Sequence, residues 1–139
     1  MVGIDLGTRR VGVAVSDPGG VVASPYEVVQ RSGDVARDRW RIKEIVDEVE
    51  AVVVVVGLPL SMDGSVGRAA SAALEEAAAL REVLVPVPVE MFDERLTTVS
   101  ADRSMMQFKM KADARRRVVD KVAAAVMLQA WLDSRENRR

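Results

Sequence analysis

The 139-residue chain has the composition of one ordinary globular domain, and its residue types exclude several kinds of chemistry. Hydrophobic residues make up 49% of it and aromatic residues only 4%, which predicts a core of aliphatic side chains. Its formal net charge is -1. There is no cysteine and no histidine, which excludes disulfides, thiolate metal sites and imidazole catalysis. Any acid, base or metal ligand must therefore be a carboxylate, an amine, a guanidinium, a tyrosine or a hydroxyl.

The charges are unevenly distributed along the chain. Residues 34–102 carry seven basic and fourteen acidic side chains, whereas residues 103–139 carry ten basic and four acidic ones. A basic segment of this kind can attract phosphate groups, although basic helical faces are more often only solvated. No leader pattern opens the chain and no apolar run approaches the thickness of a bilayer, so we expect a cytoplasmic protein without membrane contact.

The first sixteen residues predict a β-hairpin. Two apolar, β-prone runs, Val2–Leu6 and Val11–Ser16, flank a short connection. Asp5 stands out because an aspartate is unfavourable in a central strand without a partner. Gly3 and Gly7 lie on the same side of the pleat and leave space around its carboxylate. That space could hold a metal ion or a phosphate, and an aspartate that only accepts hydrogen bonds from the turn fits these residues equally well.

The middle of the chain predicts alternating strands and helices. A turn at residues 17–20 leads into a third strand over Val21–Gln30, which Pro25 assigns to a sheet edge. Asp34 can cap a helix with apolar residues at helical spacing. The valine run from Ala51 to Val56 predicts a strand covered on both faces, as in a parallel sheet. A loop, an alanine-rich helix over Gly67–Glu82 and a fifth strand over Val83–Met91 follow.

Charged residues follow the fifth strand and continue into the last helix. Asp93 and Glu94 are adjacent, and Thr97 or Thr98 can cap a helix that runs to about residue 107. A connector over residues 108–112 precedes a helix over Asp113–Ser134. The predicted buried stripe of that helix consists of Val119, Val122, Ala123, Val126 and Ala130. Asp120 would border this stripe.

This order of elements predicts an α/β fold with a five-stranded mixed sheet. Strands 1–3 would be antiparallel, strands 1, 4 and 5 parallel, and helices would cover both faces. Asp5, the pair Asp93 and Glu94, and Asp120 can then converge at the carboxyl ends of the parallel strands. Carboxylates in such a cluster repel unless cations lie among them, and oxygen ligands favour Mg²⁺ or Mn²⁺.

Each acidic position also has a purely structural interpretation. Asp120 can form a surface salt bridge with Arg116 or Arg117. Asp93 and Glu94 can be a charge cluster at a helix entry, stabilised by the helix dipole.

Four motifs, in order and spanning nearly the whole chain, are similar to those of the YqgF family, also called RuvX. This family is described as Holliday junction resolvases and pre-16S rRNA nucleases with an RNase H-like fold. The matching segments are Gly3–Asp17; Val56–Leu60 with Met62–Gly64; Asp93–Thr98 with Ala101; and Val119–Ala124 with Leu128, Gln129, Leu132 and Asp133. One departure is Arg9, where the family often has lysine, and it keeps the positive charge.

The resemblance implies one RNase H-like nuclease domain over residues 1–139 that requires one or two divalent ions. Its catalytic and metal-binding residues would be Asp5, Asp93, Glu94 and Asp120. Asp17 would have a support role. An activated water would attack a phosphodiester in line. Nucleic acid would be held mainly by charge. The residues expected to hold it are Arg10, Arg95, Thr97, Thr98, Lys109, Lys111, Arg115, Arg116 and Arg117.

Three alternatives remain open from the sequence. The opening hairpin also resembles that of actin-type and sugar-kinase ATPases, which need two such domains to enclose a nucleotide. A non-catalytic nucleic-acid-binding factor would have the same basic segment. Among nucleases, the resemblance favours pre-16S rRNA processing, which a monomer can carry out, and the alternative is Holliday junction cleavage by a homodimer. The partner would be RNA, or branched or single-stranded DNA.

Overall fold

A computed structural model describes residues 1–96 and 112–136 of the chain, with side chains described for residues 1–95 and 122–135. Within these ranges there are five strands, three α-helices and one short 3₁₀ helix. The elements are β1 (Val2–Leu6), β2 (Arg10–Ser16), β3 (Ala23–Gln30), α1 (Val35–Glu48), β4 (Val54–Leu58), α2 (Arg68–Leu84), β5 (Val89–Asp93), the 3₁₀ helix (Glu94–Leu96) and α3 (Ala112–Glu136).

The strands form one mixed sheet in the order β3-β2-β1-β4-β5. The pairs β1/β2 and β2/β3 are antiparallel, whereas β1/β4 and β4/β5 are parallel. This confirms the predicted fold class and the predicted directions of all five strands. Pro25 lies in β3, which is an edge strand as predicted, because proline cannot donate to a neighbour on both sides.

The two faces of the sheet carry separate cores. Val54 and Val56 pack with α1 and α2 on one face, and Val53 and Val55 pack with α3 on the other. All four valines are at most 6% exposed. The valine run therefore does not alternate with polar residues because helices cover both faces. Asp34 caps α1 as predicted, since its carboxylate accepts a hydrogen bond from the Arg37 amide at 3.2 Å.

The bounds of three strands differ from the sequence prediction by more than one residue. The valine strand predicted over Ala51–Val56 is β4 over Val54–Leu58, because the Ala51 amide still donates to the Val46 carbonyl of α1 at 3.0 Å. The strand predicted over Val83–Met91 begins only at Val89, because α2 continues to Leu84 and two prolines separate the helix from the strand. The strand predicted from Val21 begins at Ala23, because the amides of Val21 and Val22 donate to the Asp17 carboxylate at 2.8 and 2.7 Å. These two valines therefore belong to a turn that the Asp17 side chain stabilises.

The buried face of α3 is rotated from the predicted stripe. Among residues 122–135, where its side chains are described, the buried ones are Ala124, Ala125, Met127, Leu128, Trp131 and Leu132, whereas Val119 of the predicted stripe is outside this range. The helix carries apolar residues on nearly every side, so periodicity alone could not select the face. Gly3 determines which face packs on the sheet, because it has no side chain and lets α3 approach closely. A Cβ atom at this position would lie 2.8 Å from the Leu128 Cβ and 3.3 Å from the Ala124 carbonyl oxygen.

Helix α3 runs in the direction opposite to β1. Leu128 lies against Gly3, and the Arg135 guanidinium approaches the Met1 sulfur at 3.9 Å, so the end of the helix lies near the start of the strand. Gln129 fixes this position by accepting from the Ala23 amide and donating to the Val21 carbonyl, both at 2.9 Å. The first half of α3 therefore extends towards the end of β1, where Asp5 lies. No helix in the described ranges is long and apolar enough to span a membrane.

Candidate active site

Asp5 and Glu94 form a carboxylate pair at the carboxyl ends of the parallel strands. Asp5 lies near the end of β1, and Glu94 directly follows β5. The pKa of Glu94 is raised to about 8, first by burial, then by a hydrogen bond with the Asp5 side chain and by the negative charges of Asp5 and Asp93. Two carboxyl groups can form a hydrogen bond only if one carries a proton. At neutral pH the pair therefore binds a proton, which reduces the repulsion between the two carboxylates. A bound cation would reduce this repulsion in the same way.

Gly57 creates the space in which Glu94 lies. A Cβ atom at position 57 would lie 2.7 Å from the Glu94 Cδ and 2.8 Å from its Cγ, and would overlap with its Oε1. Gly57 is in β4, directly between β1 and β5, and follows Val53 and Val55 on the face that α3 covers. The absence of a side chain here lets Glu94 reach across β4 towards Asp5. Sequence reasoning assigned no function to Gly57, although a glycine that closes a valine run was a visible signal.

Asp93 has a different environment from its neighbour Glu94. Its Oδ2 accepts from the Arg95 Nη2 at 2.6 Å and from Nε at 2.8 Å, and its Oδ1 accepts from the Arg95 backbone amide at 3.0 Å. These bonds with Arg95 lower the pKa of Asp93. The Asp93 carboxylate is therefore occupied by a cation of the protein itself.

Arg95 also contacts the loop that follows β4. Its Nη1 donates to the Met62 carbonyl at 3.4 Å. The loop has internal bonds as well, because the Asp63 carboxylate accepts from the Ser65 amide at 2.9 Å and from its hydroxyl at 2.6 Å. Gly64 has a φ of 86°, which favours glycine. Asp93 and Arg95 thus hold the loop beside the carboxylate pair.

Several other residues predicted from the sequence lie elsewhere or outside the described part of the chain. Asp17 closes a turn at the opposite end of the sheet from Asp5. Arg10 lies at the start of β2, at the same end as Asp5. Thr97, Thr98, Lys109 and Lys111 are not among the described residues, and Asp120, Arg115, Arg116 and Arg117 belong to α3 at positions whose side chains are not described.

The two paired carboxylates can supply part of a metal site. Both are hard oxygen ligands, the class that Mg²⁺ and Mn²⁺ prefer. Within residues 1–95 and 122–135, no group of three acidic side chains is arranged to hold an ion. A complete site would thus need a further ligand from the protein or from substrate and water.

This combination of a mixed five-stranded sheet and acidic side chains at its parallel-strand ends defines the class of RNase H-like nucleases. A family model for RuvX, described as a Holliday junction resolvase, matches residues 1–134. The chain belongs to the RuvX family. It is therefore a hydrolase that acts on nucleic acid phosphodiester bonds, and nuclease families of this kind depend on divalent metal ions.

Curated relatives cover nearly the whole chain. A protein of Mycobacterium sp. (strain KMS) is 50% identical over 134 residues, which is 96% of this chain and 79% of the relative. A Rhodococcus opacus (strain B4) protein is 50% identical over 137 residues, with 96% and 77% covered. Both relatives carry the name pre-16S rRNA nuclease.

Solved structures confirm the fold. RuvC of T. thermophilus in complex with a Holliday junction substrate has a TM-score of 0.57 at 18% identity, with 99% of this chain and 96% of that chain covered. The fowlpox virus Holliday junction resolvase has a TM-score of 0.55 at 10% identity, with 96% and 97% covered. At these identities the likeness concerns the arrangement of strands and helices.

Proposed function

We propose that this chain is a metal-dependent nuclease that processes precursor 16S rRNA, with Asp5 and Glu94 at its catalytic centre. The observation that carries the proposal is the hydrogen-bonded Asp5–Glu94 pair at the carboxyl ends of the parallel strands. The names of relatives at 50% identity support the RNA substrate. The proposal includes a single catalytic domain over residues 1–139 and a cytoplasmic location, where precursor rRNA is matured.

The residues present fit a Mg²⁺ or Mn²⁺ ion. In the metal-free protein a proton relieves the repulsion between Asp5 and Glu94, and a divalent ion would replace that proton. Asp120 is the proposed third ligand. It is one helical turn before Ala124, which lies on Gly3, and the first half of α3 extends towards the Asp5 end of β1. This helix register supports Asp120 as the third ligand.

A bound divalent ion would activate a water molecule and stabilise charge on the phosphate. Asp5 and Glu94 would hold the ion, and Gly57 would keep the path between them open. Asp93 would act as a positioning residue that orients Arg95, which would then face the substrate backbone. The remaining predicted contacts, Arg10, Thr97, Thr98, Lys109, Lys111 and Arg115–Arg117, would hold nucleic acid by charge and hydrogen bonds.

Holliday junction cleavage is the second candidate, favoured by the description of the family model that matches residues 1–134. A junction has two equivalent strands to cut, so this function would require a two-fold symmetric dimer. Processing of single-stranded RNA can be carried out by a monomer.

The test compares cleavage of a precursor-rRNA fragment, a four-way DNA junction, duplex DNA and single-stranded DNA, each with Mg²⁺, Mn²⁺ or EDTA. We expect metal-dependent cleavage of the RNA and its loss in Asp5→Asn. Asp63→Asn is the matched control, because this aspartate is exposed in a nearby loop and its carboxylate bonds to Ser65. Preferential cleavage of the junction would favour the second candidate. Binding without cleavage of any substrate would indicate a non-catalytic factor.

A further inference from the structure

A groove of about 490 Å³ lies around the turn between β1 and β2, beside the start of α1. Arginines dominate its lining: Arg9 and Arg10 come from the turn, and Arg31 follows the end of β3. Thr8 adds a hydroxyl. The groove is at the same end of the sheet as Asp5, because Arg10 at the start of β2 lies beyond the residues that pair with β1.

Arg31 is held in a fixed position in this groove. Its Nε donates to the Gly7 carbonyl at 2.7 Å, and its backbone amide donates to the Arg9 carbonyl at 2.9 Å. The two terminal nitrogens of its guanidinium form no hydrogen bond or ion pair with any described residue. A guanidinium that is anchored through Nε presents these two nitrogens as a fork that matches the geometry of a phosphate.

Arg9 and Arg31 form no ion pair with a carboxylate of the described residues. Arg9 is exposed and forms no side-chain hydrogen bond or ion pair within the described part of the chain. Asp38 is the one carboxylate among the described lining residues, and it is 7% exposed. Its oxygens accept from the Ser32 amide at 3.1 and 3.2 Å and from the Ser32 hydroxyl at 2.8 Å. Asp38 is therefore directed into the loop and does not neutralise the arginines.

Arg39 and Arg41 of α1 differ from Arg9 and Arg31 of the groove. Arg41 is paired with Glu27 at 2.6 Å and with Glu48 at 3.1 Å, and Arg39 is paired with Glu76 at 3.2 Å. Arg39 and Arg41 are thus paired with carboxylates of β3, α1 and α2. The groove arginines Arg9 and Arg31 lack such partners in the described residues.

The groove lies close to the carboxylate pair along the chain. Gly7, which holds Arg31, is two residues after Asp5, a spacing of about 7 Å in an extended strand. One nucleic acid strand rises about 3.4 Å per nucleotide along the axis of a B-form duplex. The distance from Asp5 to the groove is therefore on the scale of a few nucleotides.

The geometry points to a phosphate subsite in which Arg31 and Arg9 bind the sugar-phosphate backbone of the substrate strand a few nucleotides from the scissile bond. This inference rests on the proposed nuclease function. The subsite adds affinity and directs the strand across the β1–β2 turn. It recognises the phosphate and carries no base specificity.

The experiment measures binding of a labelled single-stranded RNA by fluorescence anisotropy in EDTA, over a series of salt concentrations. The protein carries Asp5→Asn, so that binding is measured without cleavage. Adding Arg31→Gln or Arg9→Gln should each weaken binding about tenfold and reduce the slope of log K against log salt by about 1. In the protein with Asp5 intact, either change should raise KM for cleavage and leave kcat nearly unchanged.

Arg81→Gln is the matched control. Arg81 also donates its Nε to a backbone carbonyl, that of Val89 at 3.2 Å, but it lies at the other end of the sheet. Its substitution should leave binding unchanged. Arg31→Lys keeps the charge but not the fork, and should have an intermediate affinity. Arg9→Gln removes no contact with a described residue, so it tests the charge without disturbing the fold.

The possible failures are distinguishable. If the starting protein binds no nucleic acid, the proposed function is wrong. If it binds RNA but Arg9→Gln and Arg31→Gln bind as tightly as Arg81→Gln, the subsite is wrong while the nuclease proposal stands. A loss of binding in Arg31→Gln alone, accompanied by a lower thermal midpoint, would also overturn the subsite, since it would show that Arg31 only supports the turn.

Discussion

Asp93 and Glu94 are adjacent in the chain, yet their carboxylates have opposite electrostatic environments. Asp93 bonds to Arg95, which lowers its pKa. Glu94 is partly buried, shares a hydrogen bond with Asp5, and has a pKa raised to about 8. The contrast arises because the end of a strand directs successive side chains to opposite faces. The carboxylate of Asp93 is paired with a cation of the protein, whereas Glu94 shares a hydrogen bond with a second acid.

The first prediction separates these two acids by activity. Glu94→Gln should lower metal-dependent cleavage by roughly 1,000-fold, because a lost metal ligand removes several kcal/mol of transition-state stabilisation. Asp93→Asn should lower it by about tenfold, the scale of a group that only orients another side chain. Steady-state rates over a range of Mg²⁺ concentrations would measure both. Equal losses of cleavage activity in the two variants would contradict the assignment of different roles to Asp93 and Glu94.

The second prediction tests the space that lets Glu94 reach Asp5. Gly57→Ala should reduce cleavage by on the order of 100-fold, because its methyl group would displace the Glu94 carboxyl. Gly67→Ala is the control, since its new methyl would meet only the Ser61 hydroxyl oxygen at 3.3 Å. Shortening the displaced acid in Gly57→Ala/Glu94→Asp should recover part of the activity. A fully active Gly57→Ala would show that Glu94 need not lie there.

The third prediction uses pH to compare the two acids in the metal-free protein. Folding raises the pKa of Glu94 from 4.5 to about 8, so the folded state binds the extra proton between these values. Its contribution to stability is complete below pH 4.5 and is lost as the pH rises through about 8. The total change is on the order of a few kcal/mol at 1.36 kcal/mol per pKa unit. Asp93 has the opposite sign, because its lowered pKa contributes stability that is lost as the pH falls.

Urea unfolding in EDTA between pH 5 and pH 9 would measure this effect, because this series extends below and above the Glu94 pKa of about 8. Mg²⁺ should restore stability at the alkaline end, since it replaces the proton that is lost there. Glu94→Gln should show little of the alkaline decline. A wild-type protein whose stability rises through pH 8 would contradict the assignment of the shared proton.

The smallest expected effect is that of Arg95→Gln on stability. The guanidinium lies near the surface, where ion pairs contribute little, so the midpoint of urea unfolding should change only slightly. Metal affinity should stay unchanged, because Arg95 contacts Asp93 and the Met62 carbonyl instead of the Asp5–Glu94 pair. Calorimetric titration with Mn²⁺ would measure it. A large loss of metal affinity would mean that the two acids act as one unit.

Much of the fold could be predicted from local patterns. The hairpin, the doubly covered valine strand and the cap at Asp34 each depend on neighbouring residues, and all three are confirmed. The buried face of α3 could not be predicted, because its apolar residues surround the helix and the choice depends on Gly3 in a distant strand. The same holds for the start of the fifth strand, since alternating valines continue from Val83 at the end of α2 through the connection to Val89.

The candidate site shows the same division between sequence and structure. Residue types and the order of the elements along the chain can be taken directly from the sequence. They were enough to predict that Asp5 and the Asp93–Glu94 pair are at the ends of parallel strands. That Glu94 faces Asp5 across Gly57 while Asp93 binds Arg95 is visible only in the folded protein. The surroundings of each acidic side chain depend on how strands that are distant in the chain pair with one another. They also depend on which face of the sheet a helix covers.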